Sequence, residues 1–97
     1  MTLFVKSFLL SVIISSAVVH AQKPSPGSQV EQSLKLASGK SIPYLLYLPK
    51  NFGKNTTQKW PVILFLHGRG ESRGPLSIVA KWGPPRMVAR GDDLPYI

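Results

Sequence analysis

The sequence contains no cysteine, and acidic side chains are scarce. Its 97 residues include 4 Asp and Glu against 12 Lys and Arg, with only 2 His. Without cysteine the chain has no disulfide framework and no thiolate ligands for zinc. Two histidines with no carboxylate at ligand spacing provide no metal site either. We therefore predict neither a bound metal nor a cofactor.

Because acidic residues are scarce, the formal net charge is +8. Such a balance is typical of proteins that bind nucleic acid or an anionic membrane surface. Here the lysines are spread singly along turns and strand faces, as solvated surface charges are, at Lys23, Lys35, Lys40, Lys50, Lys54 and Lys59. No recognition helix or basic stripe is evident, so we predict no nucleic-acid partner.

The longest apolar stretch lies at the amino terminus, over residues 8–19. It follows Lys6 and ends at Val19, which together with Ala21 supplies small residues at a cleavage site. The stretch is shorter than the roughly 20 apolar residues that span a bilayer. We predict a signal peptide over residues 1–21, cleaved after Ala21, and hence a secreted or periplasmic protein without a stable membrane anchor.

Beyond the cleavage site the chain divides into a linker and a domain. Residues 22–29 are rich in Pro, Gly and Ser and indicate a flexible linker. Residues 30–97 are few for one core without disulfides. We therefore predict that they are marginal alone or form the N-terminal portion of a larger domain. Residues 93–97 have the pattern of a strand's start, which favours a truncated domain.

One apolar run organises this domain. Residues 62–66 are unbroken Val, Ile, Leu, Phe and Leu, without alternation and too short for a helix. This pattern predicts a strand covered on both faces, as in a parallel sheet flanked by helices, and so an α/β fold. Partly alternating stretches at residues 30–36 and 42–48 predict a β-hairpin before it. Short helices are predicted over residues 75–82 and 85–90.

Three motifs together resemble a known family. They are Tyr-Leu-Leu-Tyr-Leu-Pro at residues 44–49, the run 61–74 with Leu-His-Gly-Arg-Gly at 66–70, and Gly-Pro-Pro at 83–85. The chain from about residue 30 to 97 resembles secreted α/β-hydrolases of the esterase and predicted-peptidase type, related to the phospholipase/carboxylesterase group. The resemblance implies the N-terminal part of an α/β-hydrolase fold, with a β-hairpin, a buried parallel strand, short helices and an incomplete sheet.

The resemblance also implies a site in the loop after the apolar run. In that family this loop supplies one backbone N–H of the oxyanion hole. The donor here would be the amide of Arg69, in an oxyanion loop that includes His67, Gly68 and Gly70. One preorganised donor is worth roughly 3 to 4 kcal/mol of barrier in acyl transfer. We expect the Arg69 side chain to face solvent, the alternative being contact with an anionic part of a substrate.

The chain carries no catalytic triad. The nucleophile pattern Gly-x-Ser-x-Gly is absent, and neither Ser72 nor Ser77 lies in one. In this family the histidine follows the serine, so His67 is too early to be the base, and we predict that it bonds backbone around the loop. We expect Asp92 and Asp93 to be solvated in a surface turn.

The sequence thus predicts an exported, carboxylesterase-like serine hydrolase fragment, which carries the oxyanion loop but is inactive as it stands. Its full-length parent would act on a small-molecule ester or peptide. The alternative, from another class, is a small cationic secreted binding protein without enzymatic activity. A third possibility is a truncated product that folds poorly, because a parallel sheet would lack most of its strands.

Overall fold

The computed structural model describes residues 22–97, so the signal peptide predicted for residues 1–21 lies outside the described part. Its elements are strands β1 (Gln29–Lys35) and β2 (Ser41–Tyr47), a 3-10 turn (Arg69–Glu71), a 3-10 helix (Leu76–Lys81) and an α-helix, α1 (Gly83–Ala89). Among these residues, no helix has the length and apolar character needed to cross a bilayer.

The two strands form an antiparallel hairpin. Its register pairs Gln29 with Tyr47 at the open end. In the turn the N–H of Gly39 donates to the carbonyl of Leu36 at 3.0 Å, and Gly39 takes a φ of +87°, which glycine adopts without strain. The hairpin that the alternating stretches predict is therefore confirmed.

The helices are short, as the sequence predicts. The segment predicted over residues 75–82 is the 3-10 helix, and the next predicted helical turn is α1. Pro84 and Pro85 lie in the first turn of α1. Backbone N–H groups there have no acceptor within the helix, so proline, which lacks the N–H, costs no hydrogen bond. Gly91 follows the helix with a φ of +104°, and its N–H donates to the carbonyl of Val88 at 2.9 Å.

The predicted α/β class is wrong. Within residues 22–97 the sheet has two antiparallel strands, and no strand runs parallel to another. The apolar segment, residues 62–66, is not part of it and is not buried: Leu64 is 82% exposed and Phe65 is 38% exposed. The buried strand predicted over residues 62–66 is therefore wrong as well, because a sequence pattern does not supply the neighbouring strands that bury such a run.

The exposure of the apolar segment nevertheless alternates along the chain. Val62, Leu64 and Leu66 are the more exposed residues, and Ile63 and Phe65 between them are less so. This period of two is that of an extended chain, whose successive side chains point to opposite faces. One face of the segment is therefore partly covered by the rest of the protein, and the other is more exposed to solvent.

The buried core is small and lies at the open end of the hairpin. Its apolar members are Val30, Tyr47 and Leu94, and Pro49 is fully buried. Because Val30 and Tyr47 come from the two strands and Leu94 from the chain after α1, this core holds the last residues against the hairpin.

Candidate functional site

The loop predicted to carry the oxyanion donor begins where the apolar segment ends. Gly68 is extended, with φ −77° and ψ 173°, and it precedes the 3-10 turn. The N–H of Glu71 donates to the carbonyl of Gly68 at 3.2 Å. Both the N–H and the hydroxyl of Ser72 donate to the carbonyl of Arg69, at 3.3 Å and 2.8 Å. The turn is thus held by its own hydrogen bonds.

His67 braces the same turn through its ring. Its Nδ1 lies 2.7 Å from the carbonyl oxygen of Gly68. Because a carbonyl only accepts hydrogen bonds, Nδ1 carries the proton in this contact. The ring therefore bonds to backbone, and the carbonyl of Gly68 accepts from two donors at once.

These bonds orient the peptide unit between Gly68 and Arg69. In a planar trans peptide the C=O and the N–H point in opposite directions. The carbonyl of Gly68 is turned toward the ring of His67 and the amide of Glu71, so the N–H of Arg69 points away from the turn. Across residues 22–97, no acceptor bonds that N–H. A fixed, unused donor is what an oxyanion site requires.

The two loop glycines are not required by backbone conformation. Neither Gly68 nor Gly70 has a positive φ, whereas Gly74 does, at +112°. A Cβ on Gly68 would meet Oε2 of Glu71 at 3.0 Å, and one on Gly70 would meet nothing. The space around Gly70 is therefore open, and the tight position is Gly68.

The loop stands at one end of an apolar cleft of about 500 Å³. One wall is β2 and the other is the apolar segment, with His67 at the loop end. Val79 and Val88 reach it from the two helices. Arg69 does not line the cleft. It is exposed, as we expect for a side chain that faces solvent. Of the predicted oxyanion loop, His67 lines the cleft and Gly68, Arg69 and Gly70 do not.

A polar cluster that the sequence does not reveal lies near the core. The hydroxyl of Tyr47 donates to Oδ1 of Asp93 and accepts from the N–H of Leu94 at 3.2 Å. The N–H of Lys50 donates to the same Oδ1 at 3.1 Å. Asp93 is therefore not simply solvated. The only sequence signal was the position of Asp93 two residues before Pro95. That spacing indicates a turn but does not identify the hydrogen-bond partner of the carboxylate.

The cluster changes the acidity of both side chains. Burial raises the pKa of Tyr47 above its usual 10.0, and the hydrogen bond to Asp93 raises it further. That same bond lowers the pKa of Asp93 below its usual 3.8, with the N–H of Lys50 adding to the effect. Asp93 is thus held ionised, as an acceptor that anchors the chain after α1 to the end of β2.

Other polar side chains form no catalytic arrangement in the part that the structure describes. Its one ion pair joins Arg90 to Asp92 at 2.8 Å. Trp82 is half-exposed, and Lys81 and Arg86 lie 5.8 Å and 5.7 Å from its ring centroid. Residues 22–97 contain no cluster of His, Cys, Asp or Glu able to hold a metal.

No family model, curated protein or solved structure matches the chain.

Proposed function

We propose that this chain is part of an exported serine hydrolase of the carboxylesterase type, and that the backbone N–H of Arg69 is one of its oxyanion donors. The observation that carries the proposal is the orientation of the peptide unit before Arg69. Its carbonyl is held by the ring of His67 and the amide of Glu71, which leaves the N–H free and directed outward.

Ester hydrolysis requires a hydrogen-bond donor of this kind. When a nucleophile adds to an ester, negative charge gathers on the former carbonyl oxygen, and a donor already in place stabilises it without reorganising. Held by two bonds to its carbonyl, the peptide unit of Arg69 does not need to rotate. The donor is the main-chain amide, so the guanidinium is not required and is free to remain in solvent.

The remaining polar groups of the loop support the turn. The hydroxyl of Ser72 donates to the carbonyl of Arg69, and Nδ1 of His67 is used on Gly68. A nucleophilic serine needs a base within hydrogen-bond reach, and the hydroxyl of Ser72 is bonded to a carbonyl instead. We therefore propose that the nucleophile, acid and base lie outside residues 22–97, and that this 97-residue chain alone is inactive.

A fluorophosphonate probe, which reacts with activated serines, tests the proposal. Antibodies against residues 22–97 would capture the native protein from culture medium or periplasm, and the captured protein would be treated with the probe and mapped by mass spectrometry. We expect labelling on a serine outside these residues, abolished by heat denaturation, and none on the 97-residue chain. A captured protein that stays unlabelled while an added serine esterase reacts would refute the assignment.

A further inference from the structure

The connection between β2 and the apolar segment contains a turn built on Asn55. Both the N–H and the hydroxyl of Thr57 donate to Oδ1 of Asn55, at 3.1 Å and 2.8 Å. The N–H of Gln58 donates to the backbone carbonyl of Asn55 at 3.1 Å. Asn55 therefore closes the turn with both its side chain and its backbone, as asparagine commonly does.

The carboxamide of Asn55 uses only its oxygen in this turn. Within residues 22–97 its Nδ2 donates to no acceptor. Asn55, Thr56 and Thr57 are all exposed, and they line neither the apolar cleft nor the smaller cavity beside Asp93. A bulky polar group on Nδ2 would therefore displace no packed side chain and would leave the cleft open.

The same three residues match the acceptor pattern for N-linked glycans. The pattern is Asn, then any residue except proline, then Ser or Thr, and it is modified on surface loops of exported proteins. Here the middle residue is Thr56 and the third is Thr57. Asn51, the other asparagine of the chain, is followed by Phe and Gly and does not match. Pattern, exposure and an unused amide nitrogen thus coincide at one side chain.

We propose that Asn55 accepts an N-linked glycan during export, with a lipid-linked sugar diphosphate as the glycan donor. In the transfer a bond forms between Nδ2 and C1 of the first sugar, and the bond between C1 and the diphosphate oxygen breaks. The lipid diphosphate leaves with the electron pair, and Nδ2 loses one proton to a base of the transferase. The inference rests on the proposed export and not on the proposed acyl chemistry.

Expression in a eukaryotic cell line that glycosylates secreted proteins tests the acceptor. The 97-residue chain would be produced with its own residues 1–21 and, in parallel, with an established secretory leader in their place. Electrophoretic mobility is compared before and after an amidase that removes N-linked glycans and converts the carrier Asn to Asp. Asn55→Gln and Thr57→Ala destroy the pattern, and Thr56→Ala is the matched control because it keeps the pattern.

We expect slower migration of the chain with either leader, reversed by the amidase, which leaves Asp at position 55. Thr56→Ala should retain this shift, and Asn55→Gln and Thr57→Ala should lose it. No shift with the established leader, or a shift that persists in Thr57→Ala, would overturn the acceptor assignment. A shift with the established leader alone would instead refute export by residues 1–21, and with it modification of the native protein.

The native protein provides the second readout. Protein captured with the antibodies described above would be digested, and the mass of the peptide that contains Asn55 would be measured before and after the amidase. We expect a glycan mass on this peptide and Asp at position 55 after treatment. A captured protein with unmodified Asn55 would overturn the proposal, whether or not the fluorophosphonate probe labels it.

Discussion

The ring of Phe65 lies against the backbone of Gly83, so closely that a Cβ on Gly83 would fall 2.6 Å from Cε2 of the ring. Gly83 also has a φ of +63°, in the left-handed region. This contact fixes the apolar segment to the start of α1. It joins two of the motifs that suggested the hydrolase resemblance, since Phe65 belongs to the apolar run and Gly83 begins Gly-Pro-Pro.

Replacing that glycine tests the contact. Gly83→Ala introduces both backbone strain, about 1 to 2 kcal/mol in the left-handed region, and a clash with the ring, of about 1 to 3 kcal/mol for an overpacked site. Gly91→Ala is the matched control, since Gly91 has φ +104° but open space around it. Urea unfolding should show the larger loss for Gly83→Ala. Equal losses, or an excess that persists in a Phe65→Ala background, would argue against the contact.

The hydroxyl of Tyr47 provides a second prediction. Tyr47→Phe leaves the N–H of Leu94, in a buried residue, without its acceptor, which costs about 1 to 3 kcal/mol. The matched control is Tyr44→Phe, because Tyr44 is 40% exposed and its hydroxyl bonds to no residue within 22–97. Chemical denaturation of both variants measures the difference. If they unfold alike, the chain after α1 is not anchored through this hydroxyl.

The acidity of Asp93 makes stability depend on pH. Its pKa is lowered in the folded state, chiefly by the hydrogen bond from Tyr47, so its contribution is present above its unfolded value of about 3.8 and is lost as the pH falls through the folded value. The melting temperature should therefore decrease below about pH 4. Asp93→Asn should flatten that fall, and Asp92→Asn, in an exposed ion pair, should change it little. A fall that Asp93→Asn leaves unchanged would exclude this cause.

At alkaline pH the dependence of stability on pH has the opposite sign. The pKa of Tyr47 is raised in the folded state, so the folded protein retains the phenol proton longer than the unfolded chain. The contribution of Tyr47 is therefore complete below its unfolded value of about 10 and is lost as the pH rises through the folded value. Tyr47→Phe should remove this alkaline loss, which the same melts record.

Sequence reasoning succeeded where structure is local. The hairpin was predictable because alternating residues flank a turn with Gly39, and both short helices because prolines and Gly91 mark their ends. It failed for the apolar segment, since burial of a strand depends on neighbours that a sequence pattern does not place. The segment's exposed face and the hydrogen bond from Ile63 to Ile97 came only from the structure.

The candidate site was likewise only partly predictable from the sequence. The motif indicated the Arg69 loop, but one of the two bonds that fix its peptide unit depends on the ring position of His67, which the sequence does not determine. The bond from Tyr47 to Asp93 joins residues far apart in the chain, and no local pattern predicts such a pair. Long-range polar contacts were therefore the part that the sequence could not provide.

The proposed oxyanion donor is an amide proton, and proline at position 69 removes it. Gly68, with φ −77° and ψ 173°, already has the conformation that a residue before proline adopts. In the full-length hydrolase that we propose, Arg69→Pro should lower kcat by roughly 10²- to 10³-fold, the usual effect of losing one oxyanion donor. Arg69→Ala, which keeps the N–H, is the matched control.

Steady-state kcat of these two variants on a small aryl ester is the most direct measurement, with circular dichroism to show that both are folded. We expect a large loss of turnover for Arg69→Pro and near wild-type turnover for Arg69→Ala. Equal turnover in the two variants would show that the Arg69 amide does not stabilise the oxyanion.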